Sequence, residues 1–245
     1  MNNASNFALQ VHLSTPIVLS QDSFFTLDSL LANLMVRQGA SLLSAHTDIP
    51  LERTKNVWHA SAVFLENALL QHDITFLRSL KQVELRKDLF INAPAPKRKA
   101  NGAFGPQRAE RSNLSQQRGD YKATLDKHKA FDTDFVCWYG RGDVAQIEGL
   151  LQDMHFVGKK ARQGFGQVTS WDLFDVPEDL SLWRSVQGRD IPMRPIPVEV
   201  WQEDLGKSLQ DLSIGLTACE PPYFESPHVR SVLPPRRKRF WPLQA

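Results

Sequence analysis

The chain has 245 residues, 42% hydrophobic and 23% charged, with a net charge of only +2. That composition supports a globular core and excludes a bulk polycation, so what matters is where the positive charge sits. No apolar run approaches the ~20 residues of a membrane-spanning helix, and the opening MNNASNFALQV lacks the basic-then-apolar pattern of a signal peptide.

In chain order, FALQVHL (7–13) alternates apolar and polar residues and predicts a half-buried strand. Pro16 interrupts it, and IVL (17–19) is expected to extend the same sheet. TLDSLLANLMVRQG (26–39) places Leu27, Leu30, Leu31, Leu34 and Met35 on one helical face, with Thr26 as N-cap and Gly39 as the stop. WHASAVFLE (58–66) and ITFLRSL (74–80) read as strands. From Asn92 to Lys122 large apolar residues are scarce. The stretch carries Lys97, Arg98, Lys99, Arg108, Arg111, Arg118 and Lys122 against Glu110 and Asp120, a local net charge of +5. Such a stretch inside a compact domain is a functional excursion or a disordered one.

FDTDFVCWYG (131–140) predicts an aromatic-rich strand, and DVAQIEGLLQDM (143–154) a second helix capped by Asp143 with Gln146 in a box-like arrangement. GKKARQGFGQV (158–168) follows as a loop, then a strand at 167–174. The order is strand, helix, strand, basic excursion, strand, helix, loop, strand. This predicts an α+β fold with two βαβ-like halves of ferredoxin-like type. The domain is read as residues 1–175 with a basic insertion at about 90–125. Residues 176–245 form a Pro-rich C-terminal extension, with a short helix expected near 200–212. From Ser226 onward the extension has five Lys or Arg and no acid.

The loop at 158–168 is the most informative stretch. It is neither a Walker A loop, lacking a hydroxyl after the lysine, nor a dinucleotide fingerprint, lacking the third glycine and running from helix to strand. A nucleotide cofactor is therefore not expected. Gly158, Gly164 and Gly166 permit positive φ, successive amides in such turns can form an anion-binding nest, and Lys159, Lys160 and Arg162 add charge. Phe165 could offer a face to a base. The same pattern also suits a solvated helix-to-strand turn.

A glycine loop between the last helix and last strand of a ferredoxin-like domain resembles the signature loop of the RAMP superfamily of CRISPR RNA-binding proteins. FFTLDSLLANL (24–34) looks like the first-helix motif of the Cas-five-like backbone subunit of type IV CRISPR complexes. GKKARQGFGQVTSW (158–171) is similar to that family's loop and following strand, and the basic insertion corresponds to its thumb. The resemblance covers roughly residues 7–175.

It implies a non-catalytic subunit without metal or cofactor. Such a subunit holds the 5′ handle of the CRISPR RNA and caps a ribonucleoprotein near the protospacer-adjacent motif. Its implied partners are CRISPR RNA, target DNA through the complex, the filament backbone subunit and the large subunit, in the cytoplasm and without a membrane. The implied RNA-binding residues are Gly158, Lys159, Lys160, Arg162, Gly164, Phe165 and Gly166 in the loop. Lys97, Arg98, Lys99, Phe104, Arg108, Arg111, Arg118 and Lys122 of the thumb would contact RNA or DNA, with Arg236, Arg237, Lys238 and Arg239 of the tail as weaker contacts.

Two rivals stay open. A repeat-cleaving endoribonuclease would need a general base, with His12 and His59 as candidates. An RNA-independent assembly protein would use the basic surface on acidic partners. His12 is expected to face solvent or a partner, and His59 to pack or meet solvent. His128 falls in a polar stretch, and His155 is read at a helix C-terminus, where its charge is favourable. Trp58, Trp138 and Trp171 read as core or interface residues, and Arg53 and Lys55 as RNA surface or solvated loop. Cys137 and Cys219 match no metal-ligand spacing; a disulfide between them is conceivable but unsupported, and reduced thiols are expected.

Overall fold

A computed structural model describes residues 4–19, 24–65, 70–78, 124–223 and 225–235. It is mixed and sheet-rich with few helices, consistent with an α+β class. The chain divides into two units, residues 1–72 with 129–245, and residues 73–128.

The main sheet of the first unit has four strands, β1 (Ala4–Leu13), β5 (Phe64–Leu65), β8 (Phe135–Asp143) and β9 (Val168–Asp175), in the order β5-β8-β1-β9. Every pairing within it is antiparallel. Helix α1 (Leu27–Arg37) follows β1, and helix α3 (Val144–Leu151) joins β8 towards β9. A single turn, α2 (Ser44–Thr47), lies after α1.

Alternation along β1 does what the sequence predicts. Phe7, Leu9 and Val11 point into a core that also buries Leu27, Leu30, Leu31 and Leu34 of α1 and Ile147 and Leu151 of α3. Each such side chain contributes ~1.5–3 kcal/mol by leaving water. Trp138 is fully buried here and donates from its indole nitrogen to the Phe25 carbonyl at 3.1 Å. Trp58 joins the same core, and Trp171 is half-buried against it.

Three local expectations are corrected. β2 (Ile17–Leu19) does not extend the main sheet. It pairs with β7 (Thr124–Asp132) in a second sheet whose order is β2-β7-β6, with β6 at Leu70–Arg78. The stretch 131–140 is not one strand, because it breaks at Thr133–Asp134 between β7 and β8, and the two halves serve different sheets. Likewise 58–66 yields β4 (Val57–Trp58) and β5 rather than one strand. β4 closes a hairpin with β3 (Arg53–Thr54). Of the second unit, residues 73–78 of β6 and 124–128 of β7 are described, and within it the rings of Phe76 and His128 sit 5.8 Å apart.

Beyond residue 176 the chain forms a hairpin, β10 (Trp183–Val186) with β11 (Arg189–Pro192). It also forms a three-stranded sheet of β12 (Ile196–Pro197), β14 (Val229–Leu233) and β13 (Ser213–Thr217), in that order. The helix expected near 200–212 is one wide π-type turn at Val200–Asp204, which buries Trp201.

Met193 and Val176 close over Ala8, Cys137 and Tyr139 on the sheet face away from α1. Arg194, wholly buried, donates to the carbonyls of Trp58 at 2.6 Å, Ala60 at 3.2 Å and Cys219 at 2.9 Å, and to the Tyr223 hydroxyl at 2.9 Å. Cys137 and Cys219 are both buried, and no disulfide joins them.

Candidate nucleic-acid interface

The loop between α3 and β9 is built from a few backbone constraints. After Leu151 the helix stops and Met154 and Val157 drop into the core. The backbone then turns left-handed at Gly158 (φ 80), Lys160 (φ 66), Gly164 (φ 85) and Gly166 (φ 68), around one 3-10 turn at Ala161–Gln163. Only two of the glycines are forced by space. A Cβ on Gly166 would lie 1.9 Å from the Val157 carbonyl oxygen, and one on Gly158 would lie 2.7 Å from that of Val18. Nothing lies within 4 Å of a Cβ built on Gly164, so there the φ alone argues for glycine.

The loop is fastened to the turn between β1 and β2. Lys159 N–H donates to the Val18 carbonyl at 2.8 Å, and Gly166 N–H to that of Pro16 at 2.9 Å. Gln167 N–H donates to Thr15 Oγ1 at 2.9 Å, and the Gln167 carbonyl accepts from Ser14 N–H at 3.0 Å. Inside the loop, Gln163 N–H reaches the Lys160 carbonyl and Gly164 N–H that of Ala161, each at 2.9 Å. With Phe165 N–H on Lys160 and Val168 N–H on His155, the amides of 163–168 are already engaged. Those amides hold the loop together, and the amides of 160–162 at the start of the 3-10 turn are not among them.

Lys159 and Arg162 are exposed, while Lys160 and Phe165 are half-buried. Among the described residues no carboxylate forms an ion pair with Lys159 or Arg162. Two exposed cations on a turn whose backbone is braced form a positive edge, a surface that suits an anion.

A family model described as CRISPR type IV associated protein Csf3 matches residues 6–235. The chain belongs to that family. Membership of the Csf3 family makes it a component of type IV CRISPR systems and implies other subunits as partners. No curated protein matches the chain.

The remaining sequence candidates fall as follows. Lys97, Arg98, Lys99, Phe104, Arg108, Arg111, Arg118 and Lys122 of the basic insertion, expected to act as a thumb, lie outside the described residues, as do Arg236, Arg237, Lys238 and Arg239 of the tail. Arg53 and Lys55 have carboxylates of their own. Arg53 sits 3.8 Å from Glu220 and 5.0 Å over the Trp58 ring, and Lys55 sits 2.7 Å from Asp204. The Asp204 hydrogen bond raises the Lys55 pKa.

His155 is exposed and lies beyond the end of α3 at Leu151, so the helix-terminus reading does not hold. Asp143 does cap α3, accepting from Gln146 N–H at 3.1 Å, and that bond lowers its pKa. No helix among the described residues is long and apolar enough to cross a membrane.

Sequence reasoning missed one constellation. His59 Nδ1 lies 2.7 Å from Asp179 Oδ2 and 3.3 Å from Ser181 Oγ, while its Nε2 lies 2.8 Å from Thr54 Oγ1. Burial pushes the Asp179 carboxyl up, but the hydrogen bonds from His59 and Ser181 prevail and hold its pKa below the usual value. Both ring nitrogens are thus engaged, tying the β3–β4 hairpin to the segment before β10. A cavity of about 600 Å³ opens beside it, lined by His59, Leu180, Leu182, Trp183, Val186 and Leu205 among others. His59 and Asp179 are 120 positions apart, and no local pattern joins them.

Proposed function

We propose that the chain is the non-catalytic subunit that holds the 5′ handle of a CRISPR RNA and caps a type IV ribonucleoprotein. There it would meet the filament backbone subunit and the large subunit, near the protospacer-adjacent motif of the DNA target. Guide pairing would read the target sequence, as in RNA-guided systems generally. The family supports the complex. The chain order β1, α1, β5, β8, α3, β9 with sheet order β5-β8-β1-β9 supports a ferredoxin-like, RAMP-type core.

The observation that carries the reading is the braced glycine turn with Lys159 and Arg162 exposed at its edge. The test is sequencing of RNA that co-purifies with the tagged protein from its host, beside the Lys159→Ala/Lys160→Ala/Arg162→Ala protein. One class of short RNAs sharing a 5′ end, depleted in the variant, is the expected result. Random RNA, or equal recovery by both, would bring the RNA-independent assembly reading forward.

A repeat-cleaving endoribonuclease is a second reading, favoured by one observation, the orientation of His59 by Asp179. Incubation of wild-type protein with repeat RNA decides it, since absence of cleavage removes it.

A further inference from the structure

On the sheet face away from α1, alternation places Ala8, Gln10 and His12 of β1. Their cross-strand partners are Phe174, Asp172 and Ser170 on β9 and Tyr139, Cys137 and Phe135 on β8. The C-terminal extension covers part of this face, burying Ala8, Cys137 and Tyr139 under Val176 and Met193. The rest is left open: Phe174 is 42% exposed, the His12 side chain 35% and Asp172 53%. His12 also lies beside the Phe135 ring, with centroids 5.5 Å apart.

The open strip begins at the glycine loop. One residue beyond His12, Leu13 pairs with Val168, and Ser14 bonds to Gln167, the residue after the Gly-Phe-Gly turn. From there the strip runs past Gln10 and Asp172 to Phe174. Phe174 stands four residues along β9 from Ser170, the partner of His12, a span of about 13 Å at ~3.3 Å per residue. That length leaves room for two or three bases, the number that aromatic sheet platforms stack from single-stranded RNA.

We propose that this open strip is a stacking platform for unpaired RNA bases, with His12 and Phe174 as its stacking side chains. The inference rests on the RNA-binding reading of the glycine loop. On this reading, a strand whose phosphates lie along Lys159 and Arg162 would continue to His12, because Leu13 and Ser14, the next residues of the chain, pair with Val168 and Gln167 at the end of the loop. Between the rings, the Gln10 amide and the Asp172 carboxylate offer hydrogen bonds to base edges, and the carboxylate selects exocyclic amino groups. Asp172 Oδ2 sits 3.3 Å from His12 Nε2, and Gln10 Nε2 lies 3.4 Å from the same nitrogen, which meets one of them at a time, as donor to the carboxylate or as acceptor from the amide. Phosphates are held by charge at the loop and bases by stacking on the sheet, and these two parts separate experimentally.

The experiment measures fluorescence anisotropy of a labelled oligoadenylate, and of an abasic ribose-phosphate oligomer, against full-length protein over a salt series. His12→Ala/Phe174→Ala is expected to weaken oligoadenylate binding by about tenfold or more. It should leave the salt slope and abasic binding unchanged. The Lys159→Ala/Lys160→Ala/Arg162→Ala protein should instead flatten the slope by about 2, at ~0.7 per lost phosphate contact. His12→Phe, which keeps a ring, should retain binding.

Wild-type affinity in the His12/Phe174 variant overturns the platform while leaving the loop reading intact, provided the loop variant flattens the slope. Loss of binding in His12→Phe overturns it as well. Failure of the wild-type protein to bind either oligomer overturns both.

Discussion

Arg194 and Asp28 lie 3.3 Å apart, and neither side chain reaches solvent. The pair ties the first turn of α1 to the C-terminal extension, with Tyr223 donating its hydroxyl to the same carboxylate oxygen. Burial lowers the Arg194 pKa, but Asp28 and Tyr223 outweigh it and keep the guanidinium charged; burial drives the Tyr223 pKa up. Removing one partner strands a charge in the core.

Asp28→Asn is therefore expected to destabilise the protein by about 3–5 kcal/mol in urea unfolding, because the Arg194 charge loses its counter-ion. An Asp28→Leu/Arg194→Met protein should recover part of that loss. If Asp28→Asn melts like wild type, the pair does not hold the extension in place.

Gly166→Ala and Gly164→Ala should differ sharply. Both positions have positive φ, a strain of ~1–2 kcal/mol for a residue with a Cβ, but only at Gly166 does the new carbon meet a carbonyl oxygen, at 1.9 Å. Thermal denaturation should show a modest loss for Gly164→Ala and a much larger one for Gly166→Ala. Equal losses would mean the turn yields as a whole.

Lys159→Ala and Arg162→Ala remove exposed side chains from a turn held by its backbone, so unfolding free energy should stay within about ±0.5 kcal/mol of wild type. RNA recovery, by contrast, should fall. A large stability loss would show that these cations brace the turn rather than face a ligand.

Asp179 gives a pH prediction. Its folded pKa is depressed, so the stability it contributes is fully present above the unfolded carboxyl value of ~3.9. It is lost as pH falls through the lower folded value. Melting temperature followed from neutral into acid should decline more steeply for wild type than for Asp179→Asn, which has no such carboxyl to titrate. Parallel declines would detach Asp179 from His59.

How much was legible in the sequence depends on the range over which each signal acts. The face Leu27, Leu30, Leu31 and Leu34, and the alternation of Phe7, Leu9 and Val11, are local patterns, and they land where they should because periodicity alone decides which side meets a core. Asp28 shows the limit. An acid in the first turn of a helix reads as a charge on the helix dipole, yet it is fully buried because its partner lies 166 residues away. A hint existed in MRPIP, where one arginine stands among apolar residues and prolines.

The stretch 131–140 failed for another reason. Its aromatics are continuous, while the strand changes sheets at Thr133–Asp134, and sheet membership is a property of partners rather than of composition. The glycine loop was legible in its turns. The use of its amides was not, because their acceptors at Pro16 and His155 lie outside the motif.

The three residues of β2 carry more than their length suggests. On one edge Val18 bridges to Lys159 at the mouth of the glycine loop, and on the other Ile17, Val18 and Leu19 pair with Phe131, Ala130 and Lys129. The same short rung therefore clamps the loop and sets the register of the strand that returns from the basic insertion. A one-residue slip there would turn Ile17 and Val18, both wholly buried, to the wrong sides and move the hook of Lys159 together with the register of Lys129. Loop and returning strand thus share one backbone reference point, and the spacing between them behaves as a built-in dimension of the protein.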